Sequence, residues 1–212
     1  MRVLRRRRPP YELLSVLLHY PDQQLLEALP TITEVVAALP SSSQRRPLKR
    51  FLTYLGGTEA VALQQAYVET FDLQRRASLY LTYFTHGDTR QRGSALLRLK
   101  RFYASAGLTL ASRELPDYLP LMLEFTALAP HGVGEQLLAE HRAGLELLRL
   151  ALRERASPYL ELLDAVCAAL PSLALEQLEA VRRLAAEGPP TERVGLQPFA
   201  PPEVMPGMEA RR

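Results

Sequence analysis

A chain of 212 residues provides one good-sized domain or two small ones. Its single cysteine, Cys167, excludes an internal disulfide, and no run approaches the ~18 apolar residues that a membrane span needs. The net charge of +3 is concentrated at the start, where Arg2, Arg5, Arg6, Arg7 and Arg8 stand without an acid among the first ten residues. The rest is slightly acidic and lacks the basic stripe of a nucleic-acid-binding fold.

Residues 1–9 read as a solvated basic leader. The following YELLSVLLHYP is short and carries Glu12 and His19, with no small-residue cleavage site, so it reads as a first helix and not as a signal peptide. Leucine and alanine dominate beyond it, and apolar residues recur at three and four, the period of amphipathic helices. Proline and glycine punctuate the pattern. About ten helices are predicted, over 10–20, 22–29, 31–39, 44–55, 58–71, 74–85, 89–106, 117–129, 133–156 and 158–186, the last broken near Pro171. The predicted fold is all-α, a single compact helical domain over 10–187. The six prolines of 188–212 point to a disordered tail. A cytoplasmic location is expected.

Two segments stand out. In FDLQRRASLYLTYFTHGDTRQRG, Phe71 to Gly93, Tyr67 and Phe71 share a face, as do Leu79 with Tyr83 and Tyr80 with Phe84. Three of the five aromatics Tyr67, Phe71, Tyr80, Tyr83 and Phe84 are expected in the core, with Tyr83, nearest the turn, facing outward. Asp72 is predicted to cap the helix after it, and Gly87 to supply a positive φ. Asp88 is predicted to cap the next helix, with Gln91 completing a capping box. His86 either titrates near neutral pH or simply ends its helix. In SRELPDYLPLMLEF, Ser112 to Phe125, Asp117 is the expected cap and Pro120 falls in the first turn. His19, His86, His131, His141 and Cys167 show no metal-ligand spacing, and no nucleotide-loop or nucleophile motif occurs, so neither a metal site nor an enzyme is expected.

The blocks LLSVLLHYPD, AYVETFDL, LYLTYFTHGDTRQRG and LASRELPDYLPLMLEF, in that order, resemble the nitrate reductase molybdenum-cofactor assembly chaperones. These are the NarJ-type, or delta-subunit, members of the redox-enzyme maturation chaperones. The resemblance implies an all-helical protein that is not an enzyme. Its partner would be the apo catalytic subunit of a respiratory nitrate reductase, held by its N-terminal segment until the cofactor is inserted and before membrane docking. The molybdopterin guanine dinucleotide cofactor would belong to the client, with none bound stably here. Carried over by position, the resemblance points to Tyr83, His86, Asp88, Arg90, Glu114, Pro116, Asp117, Tyr118, Leu119 and Glu124 as peptide-binding residues. The family commonly has histidine after LPD, where this chain has Tyr118. Asp88, Glu114, Asp117 and Glu124 would form an acidic rim for a basic amphipathic helix. Arg75, Arg76, Arg90 and Arg92 would meet a cofactor pyrophosphate or client acids, with at least two of them merely solvated. The rival readings are a chaperone for a dimethyl sulfoxide or trimethylamine oxide reductase, and a helical adaptor that uses the arginine leader.

Overall fold

The N-terminal helix α1 (Tyr11–Leu17) crosses the chain to pack on α7 (Leu119–Leu128), and Ser15 donates from Oγ to the Pro120 carbonyl at 2.7 Å. Leu14, Leu17 and Leu18 are buried there with Leu119, Met122 and Leu123. The computed structural model describes residues 9–110 and 114–188. Among them the chain is all-α, with eleven α-helices and one isolated β-bridge. The basic leader and nearly all of the proline-rich tail lie outside the described residues.

Helix α2 (Gln23–Ala38) starts where Asp22 accepts from the Leu25 N–H at 2.8 Å, an N-cap bond. The sequence predicts a break at Pro30, but α2 runs through it. Pro30 is exposed, and the Thr33 hydroxyl donates to the Leu29 carbonyl beside it at 2.8 Å. Helix α3 (Arg45–Gly56) packs on α10 (Leu160–Ala168), and Arg50 reaches Glu161 at 2.6 Å. Helix α4 (Ala60–Tyr67) passes into a π-helical turn, Val68–Asp72.

The predicted helix over 74–85 is replaced by a 3-10 turn, Arg75–Ala77, an extended stretch at Ser78–Tyr80 and the short α5 (Leu81–His86). Asp72 is therefore exposed at the end of the π turn and caps no helix. Gly87 takes the expected positive φ, 56°. Helix α6 (Arg90–Ser105) has Thr89 at its N-cap, without a side-chain cap bond, so neither the Asp88 cap nor the Gln91 box forms. The predicted helix over 133–156 divides at His141 into α8 (Val133–Glu140) and α9 (Arg142–Glu154). The expected break near Pro171 separates α10 from α11 (Leu175–Glu187).

The aromatic core is built from Phe51, Tyr67, Phe71 and Tyr159. Tyr159 lies 5.0 Å from Phe51 and 4.8 Å from Phe71, ring centre to ring centre. Such tilted and edge contacts suit the ring quadrupoles. Tyr67, Phe71 and Phe84 are buried while Tyr80 and Tyr83 are half-buried, as the sequence predicts for three of the five. Arg149 ties Glu146 of α9 to Asp164 of α10.

Cys167 is buried on α10, and burial pushes its thiol up to about 12. Only the thiolate reacts readily. In the native protein at pH 8, Cys167 is therefore expected to resist a thiol-specific reagent, and to react stoichiometrically once the protein is unfolded. Rapid native labelling, timed against the unfolded control, would contradict this packing.

Candidate functional site

The two segments marked in the sequence meet backbone to backbone. The Leu81 N–H donates to the Asp117 carbonyl at 3.0 Å, and the Leu119 N–H to the Leu79 carbonyl at 2.8 Å. This antiparallel bridge sets Tyr80 against Tyr118. Aromatic and β-branched residues crowd LYLTYF, so the extended conformation at Ser78–Tyr80 costs little there.

Asp117 is fully buried below the bridge. Its Oδ2 accepts from the Thr82 N–H at 3.2 Å and from the Thr82 hydroxyl. Arg92 donates to the same oxygen at 3.4 Å. Asp117 therefore does cap a helix, but that helix is α5, 35 residues earlier, and not the one it precedes. This corrects its expected place on an acidic rim. Pro116 and Leu119 are buried too; the Pro116 carbonyl accepts from the Tyr103 hydroxyl at 2.6 Å. These three expected site residues build the floor.

Above the floor lies a half-buried aromatic surface. Tyr80 and Tyr118 lie 5.3 Å apart, and His19 meets the edge of Tyr118 at 5.9 Å. Tyr20 stands edge-on to Tyr67 at 5.5 Å, and the hydroxyls of Tyr67 and Tyr118 are 3.4 Å apart. Glu114 accepts from the Tyr80 hydroxyl at 3.1 Å. Burial, then that bond to Glu114, pushes the Tyr80 phenol up to about 12. Tyr118 is also raised, first by burial. Burial lowers His19, while Glu124, Glu114 and Asp22 pull in the opposite direction. Glu114, Glu124 and Asp22 are exposed, so this face is aromatic in the middle and acidic at its edge.

The remaining expected residues spread away from this face. Asp88 is exposed and reaches Arg92 at 3.7 Å, and Arg92 lies 6.0 Å over the Tyr80 ring. Arg92 thus links the turn at Gly87 to Asp117 and the aromatics. Tyr83 and Asp88 line one small pocket with Asp72 and Arg75. His86 faces a separate cleft of about 490 Å³ with Arg98 and His141. Its imidazole is lowered by burial first, then by those two neighbours. Arg90 is exposed on the first turn of α6.

Sequence reasoning missed His19, Tyr80 and Thr82 as parts of this arrangement, and gave Arg92 an outward role. His19 lies about a hundred residues from Tyr118, so no local pattern connects them. Tyr80 carried a signal, an aromatic within the marked block, but its assignment to a helix hid its partner. Among the described residues, no group of three or more His, Cys, Asp or Glu is placed to hold a metal ion, and no helix is long and apolar enough to cross a membrane.

Comparison with known proteins covers both of these segments. The family described as nitrate reductase delta subunit matches residues 37–165. The "Probable nitrate reductase molybdenum cofactor assembly chaperone NarJ" of Bacillus subtilis (strain 168) is 34% identical over 167 residues, covering 79% of this chain and 91% of that protein. The "Nitrate reductase molybdenum cofactor assembly chaperone NarJ" of Escherichia coli (strain K12) is 38% identical, covering 72% of this chain and 65% of that one. The "Nitrate reductase-like protein NarX" of Mycobacterium tuberculosis (strain ATCC 25618 / H37Rv) is 39% identical over 72% of this chain, which spans 23% of that longer protein. With the matched region covering most of the chain and both signature blocks, the protein belongs to the nitrate reductase delta subunit family.

Proposed function

We propose that this protein is a dedicated assembly chaperone for the catalytic subunit of a respiratory molybdenum nitrate reductase. It binds the N-terminal segment of the apo subunit and keeps it competent to receive the molybdenum cofactor before the enzyme docks on its membrane. It acts by binding, without covalent chemistry. The relatives named as cofactor assembly chaperones support the role. The observation that carries the binding reading is the face at the Tyr80–Tyr118 bridge, half-buried aromatics edged by Glu114, Glu124 and Asp22. A basic amphipathic helix would lay its apolar side on the rings and its cations against the carboxylates. The buried Asp117 and the half-buried Arg92 would hold that surface in shape and not touch the client.

The test is calorimetric titration with a peptide from the N-terminus of the client subunit. Binding is expected to weaken with salt, because exposed charges are screened. The double variant Glu114→Gln, Glu124→Gln is expected to weaken it about tenfold, or ~1.4 kcal/mol. Binding that ignores both salt and this variant would place the peptide elsewhere. Binding only to the leader of another molybdoenzyme would change the client.

A pH dependence follows from His19. Its imidazole is lowered from the ordinary histidine value, first by burial and against the pull of Glu124, Glu114 and Asp22. Acidifying below the ordinary histidine range adds a cation to a face that receives cations. Affinity for the basic segment is expected to fall with that step, and His19→Gln to flatten it. An unchanged profile in that variant would assign the fall to the carboxylates alone.

A further inference from the structure

A cleft of about 250 Å³ opens between α5, α9, α11 and the Arg75–Ala77 turn, with Tyr83 in its lining and neither Tyr80 nor Tyr118. Phe84, Leu147, Ala151 and Leu184 give it an apolar lining, and Leu150 is exposed at its edge. Arg75 and Arg76 also line it. Both are exposed, and neither forms an ion pair or side-chain hydrogen bond among the described residues. Glu154 is the acid in the lining. Gly188, the last described residue, lines the cleft as well, with φ +76°. The chain therefore passes into residues 189–212 from the cleft itself.

We propose that this cleft is the docking site of the chain's own segment Glu192–Phe199. The segment reads ERVGLQPF. Its apolar residues Val194, Leu196 and Phe199 match the lining. Glu192 suits Arg75 and Arg76, and Arg193 suits Glu154. Phe199 follows Gly188 by eleven positions, a reach of up to about 36 Å in extended chain, so the whole cleft is accessible. A short tether holds such a segment at an effective concentration of roughly millimolar. Modest contacts are then enough to keep it in place. The cleft is thus covered in cis, and it shares neither Tyr80 nor Tyr118 with the face assigned to the client.

The full chain contains no tryptophan, so Phe199→Trp makes a unique emission reporter. Its indole is expected to emit to the blue of a free indole and to resist a soluble quencher. Leu150→Glu, or Arg75→Glu with Arg76→Glu, is expected to raise quenching several-fold toward the free value. Far-UV circular dichroism checks that each variant stays folded, and the two groove variants act independently of one another. An indole that is free in the parent overturns the proposal. So does a shielded indole that ignores both groove variants. Shielding that disappears on dilution assigns the cleft to the tail of a second copy and overturns docking in cis. No client is present in the experiment, so its outcome is independent of the chaperone reading.

Discussion

Asp117→Ala is expected to lower the unfolding free energy by about 3 kcal/mol, the low end of the range for breaking a buried charged pair. Its Oδ2 gathers the Thr82 N–H, the Thr82 hydroxyl and Arg92, and the carboxylate is wholly shielded from solvent. Removing it leaves a helix-start N–H without its acceptor and takes from the largely buried Arg92 one of its two carboxylate partners, Asp88 remaining at 3.7 Å. The loss stays at the low end because Oδ1 is buried without a protein hydrogen bond, so deleting it removes one uncompensated polar atom. For a domain of this size, about 2–4 °C per kcal/mol translates this into a fall of roughly 6–12 °C in Tm. Asp117→Asn keeps an acceptor for Thr82 but not the charge opposite Arg92, so it should fall between parent and alanine. Thermal melts of the three proteins decide it. An alanine variant within about 1 kcal/mol of the parent would mean that the buried carboxylate does not hold the two blocks together.

Gly134→Ala should be about as damaging, for a steric reason. A Cβ at Gly134 would meet the Thr126 Cα at 2.4 Å and its Cβ and Cγ2 at 2.7 Å. The nearest atom belongs to the backbone of α7, so no rotamer change relieves the contact. Helices α7 and α8 would have to separate, at a cost of about 3 kcal/mol, against a gain of up to about 1 kcal/mol in helix propensity. Thr126→Ala in the same chain would not rescue it, because the Thr126 Cα remains. Gly93, on α6, is the internal control, with nothing within 4 Å of its added Cβ. Gly93→Ala is expected to stabilise by roughly 0.5–1 kcal/mol. Denaturant titration of both variants tests the pair. Equal effects at the two glycines would remove close approach as the explanation.

The all-α class was legible because a three-and-four apolar period depends on each helix burying one face, a property of each segment alone. The break near Pro171 and the positive φ at Gly87 were legible for the same local reason. What failed was non-local. LYLTYF looks helical by spacing, yet its leading residues are held extended by the Asp117–Leu119 backbone. Asp117 carries a local capping signature, and only the fold reveals that its acceptor serves Thr82. Pro30 reads as a stop, but an exposed proline in the middle of α2 is tolerated at a cost that packing of Leu25, Ile32 and Val36 offsets. The candidate face shows the same division. Its two blocks were recognisable as blocks, while His19, contributed from beyond α1, and the inward turn of Asp117 required the tertiary structure.

The seating of α1 on α7 has a consequence for synthesis. Ser15 waits for the Pro120 carbonyl, 105 residues later, and Tyr67 waits for Tyr159. A nascent chain emerging from the ribosome therefore holds α1, with its apolar side unburied, until most of the protein has been translated. Completion of this helical fold waits on these distant contacts, which slow folding relative to a helical protein built from local contacts alone. The candidate face at the Tyr80–Tyr118 bridge is completed late, so under the proposed function the newly made protein could bind a client only after its own synthesis is nearly finished.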